Sequence, residues 1–315
     1  MILEVDMIYS RCFISRMHVR QRIEHLGEAL TSAERALASV LLADYPFAGL
    51  ETIQDFARRA HSSGPTVSRF AAKLGFSGYQ AFQQALIGEL KEGQKSPVQL
   101  MATQRPFRAA WFSDFMSRAE ALMAEVSDSI PDAQFDRICA LLSEKGPALH
   151  VIGGRISDSL AQYFARHLRQ FRPKVYHLPS DPESWPAYVT RMRKGDILFI
   201  VDFRRYQANL ERLARTSVRE GGARVVLVTD KWISPVASHA SEILAVPIDN
   251  GTFWDSYAGA LSVMEALMTR IAENDWDDAR KRIETWDKVR LSLIGPENED
   301  LGKKRPLPDD PKTTE

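Results

Sequence analysis

Apolar residues recur at three- and four-residue intervals through the first third of the chain, and the rhythm changes near residue 148. Within 53–60 the apolar residues Ile53, Phe56, Ala57 and Ala60 fall on one helical face. Within 66–74 the equivalent stripe is Val67, Phe70, Ala71 and Leu74. Between them His61, Ser62, Ser63, Gly64 and Pro65 interrupt the pattern. Pro65 suits the first turn of a new helix, because the N–H it lacks would be unpaired there anyway. This spacing predicts two short helices joined by a tight polar turn. Burying Val67 and Phe70 turns Thr66, Ser68, Arg69 and Lys73 outward, with Ser63 just ahead of them. Short hydroxyls followed by cations suit a helix docked in a DNA major groove, where they meet phosphates and base edges. Two amphipathic helices around a Gly-containing turn also occur in all-helical cores that never touch DNA.

The flanks extend the helical reading. Thr31-Ser32-Ala33-Glu34 has the form of a capping box and opens a helix with Ala36, Leu37, Val40 and Leu41 inward. Thr52-Ile53-Gln54-Asp55 is a weaker start signal of the same kind. Ile23, Leu26 and Leu30 predict a helix before these, and Tyr79, Phe82, Leu86 and Leu90 one after. Residues 18–94 are thus expected to form an all-α DNA-binding module of about five helices. Polar and Pro-containing sequence near 94–108 predicts a linker, and 95–129 reads as that linker plus a helix from about Ala109 to Met123. A further helix is expected around 135–142.

From 130 to 275 short β-branched runs take over. They are 148–154, 174–178, 196–202, 223–230 and 243–248, separated by amphipathic segments such as Ile156, Leu160, Tyr163, Phe164, Leu168 and Phe171. Near-continuous apolar strands alternating with helices predict a doubly wound parallel sheet covered on both faces. The fold class is therefore two domains, all-α then α/β. Residues 276–315 read as a C-terminal helix and a disordered tail rich in Pro, Lys, Asp and Glu.

Ligands of such sheets sit beyond the carboxyl ends of the strands. The first strand ends in Gly153-Gly154-Arg155-Ile156-Ser157-Asp158, where glycines permit close approach and a helix start offers N–H groups to an anion. A third glycine is missing, so this is not a dinucleotide fingerprint, and the turn equally suits plain strand-to-helix geometry. The third strand ends in Asp202-Phe203-Arg204-Arg205-Tyr206, either an anion site or a salt-bridged loop. Asp202 is a candidate to neutralise one of the arginines. The loop 229–235 after the fourth strand reads as structural.

Composition narrows the class. With 41 basic and 41 acidic residues the chain is neutral overall, yet Arg58 to Lys95 carries six cations against Glu89 and Glu92, a local +4. That charge permits DNA binding and does not require it. The two cysteines, Cys12 and Cys139, lack metal-ligand spacing and read as free thiols in a reducing cytoplasm. No metal or cofactor is indicated, and no run of about 18 apolar residues predicts a membrane span. Residues 1–17 read as a disordered leader, or as sequence ahead of a translation start at Met17.

Several segments together resemble the RpiR/MurR family of bacterial transcriptional regulators. They are Leu30-Thr31-Ser32-Ala33-Glu34-Arg35, Thr66-Val67-Ser68-Arg69-Phe70, Lys73-Leu74-Gly75-Phe76 and Gly78-Tyr79. The second half resembles the SIS, or sugar-isomerase-type, domain through residues 152–157 and Val228-Thr229-Asp230 with Ser234-Pro235. The likeness spans residues 18–275. It implies a cytoplasmic, oligomeric regulator, a homodimer or homotetramer, that binds a double-stranded DNA operator and senses a phosphorylated sugar or related metabolite. One departure stands out: such domains usually place a Ser-x-Ser-Gly-x-Thr-like loop where this chain has residues 202–206. The expected effector is therefore a small anion held by Gly153, Gly154, Ser157, Asp202, Arg204 and Arg205. The rival readings are a sugar-phosphate isomerase or lyase and a ligand-free scaffold. For the enzyme, His150, His177, His239 and Glu183 are bases by residue type alone, and His150 and His177 read as satisfied core histidines. No catalytic residue is assigned.

Overall fold

A computed structural model of the chain describes residues 18–102, 106–107 and 110–294. The leader, the tail beyond residue 294, Cys12 and the expected helix start at Ala109 lie outside the described residues. The first half is helical: α1 (Val19–Leu26), α2 (Ser32–Ala43), α3 (Ile53–Arg59), α4 (Gly64–Lys73) and α5 (Tyr79–Gly93). Thr31 caps α2 as its spacing predicts: its hydroxyl accepts from the Glu34 N–H, and the Glu34 carboxylate accepts from the Thr31 N–H. Phe56, Val67, Phe70, Phe82 and Leu86 are fully buried and form the centre of this half. Each such side chain contributes roughly 1.5–3 kcal/mol through burial. A buried carboxylate fastens the start of α1 to this core. Glu89 on α5 accepts from the Val19 N–H at 2.7 Å and from the Tyr45 hydroxyl.

Helices α6 (Pro97–Met101), α7 (Trp111–Ser129) and α8 (Asp132–Ser143) lead to the sheet. Helix α7 runs beyond the expected Met123, because Leu122 and Val126, one turn apart, continue its buried stripe. The sheet consists of β1 (Leu149–Gly153), β2 (Val175–His177), β3 (Ile197–Asp202), β4 (Arg224–Thr229) and β5 (Glu242–Ala245). All pairings are parallel, in the order β2-β1-β3-β4-β5. The intervening helices are α9 (Asp158–Phe171), α10 (Pro186–Val189) and α11 (Ala208–Gly221), followed by α12 (Ala258–Glu273) and α13 (Trp276–Ile294). The fifth strand is shorter than the apolar run predicts. It stops before Pro247, which has no N–H for a ladder.

Both faces of the sheet are covered. Ile197, Phe199 and Val201 of β3 pack with residues of α8, α9 and α12. Leu198 and Ile200, the alternating set, pack with α10, α11 and the 3₁₀ turn Pro235–His239. The core on this second face runs on without a break into the core of the helical half, where α2 meets that 3₁₀ turn.

Candidate functional site

Helices α3 and α4 form the helix-turn-helix. Thr52 caps α3 through the Asp55 N–H, and Pro65 stands in the first turn of α4. His61, in the turn, has a left-handed backbone with φ 48°. Ser63, Ser68, Arg69 and Lys73 are exposed and Thr66 half-exposed, whereas Val67, Phe70 and Leu74 are buried. Four of the six cations counted in this stretch have acidic partners. Arg58 pairs with Asp55, Arg59 with Asp44 and Glu51, Lys73 with Glu34, and Lys95 with Glu92. Lys73 also donates to the Ala29 carbonyl at 2.7 Å, so it ties α4 to the start of α2. Among the described residues no carboxylate pairs with Arg69, which donates to the Thr66 hydroxyl.

The carboxyl ends of β1 and β3 meet in a narrow cleft lined by Gly154, Ser157, Asp202, Arg204, Arg205 and Tyr257, among others. The Gly153-Gly154 turn does not offer its amides to a ligand. The Gly153 N–H donates to the Asp158 carboxylate, and the Gly154 N–H to the Val201 carbonyl and the Ser157 hydroxyl. Ser157 in turn donates to the Val201 carbonyl, so its hydroxyl joins β1 to β3. These glycines serve packing instead. A Cβ on Gly153 would lie 2.5 Å from the backbone of Asp158, and one on Gly154 would lie 3.0 Å from Asp202 Oδ1.

The charged part of the cleft lies on the β3 side. The Arg204 side chain is 1% exposed and pairs with Asp255, which also meets Arg205 Nη2 at 3.2 Å. Asp202 accepts from the Ser234 hydroxyl at 2.5 Å, so Asp255, not Asp202, neutralises the arginines. Asp230, fully buried, accepts from the Arg204 N–H, the Tyr206 hydroxyl and the Trp232 N–H. The Arg204 guanidinium lies 4.8 Å from the centroid of Trp232, a cation–π contact. Three buried donors remain without an acceptor: Arg204 Nη1, Arg205 Nε and Trp232 Nε1. Buried donors without partners are rare and expensive.

Burial also shifts the acids. It pushes Asp202 up to about 7, the Ser234 hydroxyl opposing the rise and nearby Asp230 adding to it. Burial raises Asp230 to about 6 against the Tyr206 hydroxyl bond. Tyr257 rises to about 12 through burial, with Asp255 adding to it.

Residues 17–93 match the family model for a helix-turn-helix domain of the rpiR family, and residues 141–270 match the SIS domain. The chain belongs to the rpiR family. It is a DNA-binding transcriptional regulator with a SIS domain. It is similar to the HTH-type transcriptional regulator HexR of Escherichia coli, at 25% identity over 80% of this chain and 84% of that protein. HexR of Pseudomonas aeruginosa is 25% identical over 74% of this chain and 80% of its own length. Among solved structures, the Vibrio vulnificus NanR protein complexed with ManNAc-6P has the same fold. Its TM-score is 0.50, with 20% identity over 88% of this chain and all of that one.

In this rpiR-family regulator the four candidate bases do not gather at the cleft. His150 lies inside the sheet, stacked on Tyr176, and burial lowers its pKa. Its Nδ1 has no partner, so it is not the satisfied core histidine its strand position predicts. His177 pairs with Asp158 and His239 with Glu211, while Glu183 sits in a separate 3₁₀ turn. Sequence reasoning set the loop of Asp230 and Trp232, which follows β4, aside as structural, and it did not single out Asp255 and Tyr257. Asp255 precedes α12 in a segment without periodicity, and no signal marks it.

Proposed function

We propose that the SIS domain of this regulator senses a small anion at Arg204 and Arg205 and adjusts operator binding by two copies of the helix-turn-helix. The buried arginine donors without acceptors, Arg204 Nη1 and Arg205 Nε, carry this reading, because an anion in the cleft would satisfy them. Gly154, Ser157 and Asp202 wall the site, and Gly153 sets the turn that shapes it. The cavity measures about 20 Å³, room for little more than one water. An effector therefore has to displace the Asp255 carboxylate from the arginines. NanR, the structural neighbour, was solved with a phosphorylated sugar, which suits an anionic effector class. Without a serine cradle, an arginine fork accepts a carboxylate as readily as a phosphate.

The test is release of the operator during titration with glucose 6-phosphate, gluconate and 6-phosphogluconate, which carry a phosphate, a carboxylate and both. At least one should release DNA from the wild type, and the Arg204→Ala/Arg205→Ala double variant should need at least tenfold more. A double variant that responds equally would remove the arginines from the site. No response by the wild type to any of the three would count against an anion sensor of this class.

On the DNA side, Thr66, Ser68 and Arg69 face the groove, with Ser63 at the helix start and Lys73 bracing the helix from below. Arg69→Ala should weaken operator binding by about 1–3 kcal/mol where it reads a base. Were it only a phosphate contact, the loss would be uniform across sequences and the salt slope would fall by about 1. Operator affinity unchanged by Arg69→Ala, with the fold intact, would reverse the assigned orientation of α4. The regulator acts as a two-fold dimer on half-sites about one helical turn apart, or a multiple of it. The exposed apolar residues Trp111, Phe112 and Met116 of α7 and Val289 and Leu293 of α13 offer the surface for pairing.

A further inference from the structure

The segment that forms the arginine side of the cleft also holds the DNA-binding half. The Arg205 N–H donates to the carbonyl of Gly93, the last residue of α5, at 3.0 Å. Gly93 lies flat against the neighbouring loop: a Cβ there would be 3.2 Å from Trp232 Cβ and 3.8 Å from the Tyr206 ring. Two further groups meet Trp232. His18, ahead of α1, meets it edge-on at 6.0 Å between ring centroids, and the Arg204 guanidinium lies over its ring. One aromatic residue thus touches the anion-binding arginine, the end of α5 and the start of α1.

Two backbone observations mark these loops as poised. Arg205 has φ 67° and Ile233 has φ 59°, both left-handed, and for β-branched Ile233 that is an outlier. Strain of this kind persists where surrounding contacts hold it, and it is released when they change. Here the contacts are Asp230, which binds residues 204, 206 and 232 together, and Asp255, which fixes the two arginines.

We propose that Trp232 and residues 203–206 couple the anion seat directly to the DNA-binding half, with Gly93 as the point of transmission. Whatever replaces Asp255 on Arg204 resets the guanidinium over Trp232 and the Arg205 amide on Gly93. The docking of α5 and α1 follows. A ligand shifts such an equilibrium only as far as it favours one arrangement over the other. The arginines supply that preference because they contact both the anion and the junction.

This coupling rests on the anion-sensing reading for its purpose, but its test needs no effector. Asp255→Asn removes the internal counter-charge and stands in for displacement, and Gly93→Val breaks the junction. Operator affinity is measured for the wild-type full chain, each single variant and the double variant, using DNA selected for binding to the wild type. Asp255→Asn is expected to change affinity at least fivefold in the wild-type background and less than twofold beside Gly93→Val. Equal changes in both backgrounds, or no change in either, would overturn the proposal. If Gly93→Val fails to fold, Gly93→Ala takes its place, since its one methyl meets Trp232. Hydrogen exchange gives a second reading: Asp255→Asn should speed exchange in peptides covering 88–95 and 203–206 by at least threefold. Unaltered exchange there would also count against coupling. A failed metabolite titration leaves all of these outcomes readable.

Discussion

Gly153→Ala is expected to destabilise the α/β half by about 3 kcal/mol or more, a cost at the upper end of overpacking. The added Cβ would lie 2.5 Å from both the N and the Cα of Asp158, and 2.7 Å from the carbonyl carbon of Ser157. These are backbone atoms, so no rotamer change relieves the clash and α9 has to shift away from β1. That shift pulls on the Ser157 bridge to Val201 and on the Gly153 N–H bond to Asp158. Urea unfolding followed by circular dichroism reads the loss. Gly88→Ala is the control, since it lies inside α5 with open space around the new methyl. There alanine should be neutral or stabilising by up to about 1 kcal/mol. A Gly153→Ala protein within about 0.5 kcal/mol of the wild type would show that the turn yields easily.

The second large effect is one of pH. The Asp202 carboxyl is held at about 7 in the folded protein, above the 3.8 of an unburied aspartate. Between those values the folded state keeps a proton that the unfolded state gives up, so stability falls as pH rises. The loss begins near pH 4, accumulates to about pH 7 and is constant above that. A full shift of this size corresponds to roughly 4 kcal/mol, of which about 3 is lost between pH 4.5 and pH 8. Asp230, raised to about 6, acts in the same direction over pH 4–6. Asp202→Asn keeps an oxygen for the Ser234 hydroxyl and cannot ionise. Its stability relative to the wild type should therefore improve by about 2–4 kcal/mol between pH 4.5 and pH 8. Thermal or urea unfolding at the two pH values measures the difference. A wild type and variant that stay parallel across this range would mean that Asp202 titrates normally.

Much of the architecture was legible in the chain, because burial imposes periods that can be read one residue at a time. The stripes around Phe56 and Phe70 and the alternation in β3 are such cases, and the Thr31–Glu34 box is purely local. The site was legible only where it follows from strand ends. The β3 arginines lie in one cleft with the β1 turn, but the roles divide differently. The glycine amides, Ser157 and Lys73 have partners inside the protein, and those partners are local or lie on another element. Asp255 reaches Arg204 across about fifty residues of chain, and Trp232 packs on a glycine from the other half. Contacts of that range depend on how α5 settles against the sheet, and no periodic pattern encodes it.

The outer strands of the sheet have a consequence for how copies of this protein meet. On one margin β2 has three residues, and on the other β5 has four and is followed closely by Pro247. So few free N–H and C=O groups make poor templates for another chain's backbone. Sheets in neighbouring molecules are thereby kept from zipping together into open-ended arrays. Any contact between copies then rests on helix side chains and not on shared strands.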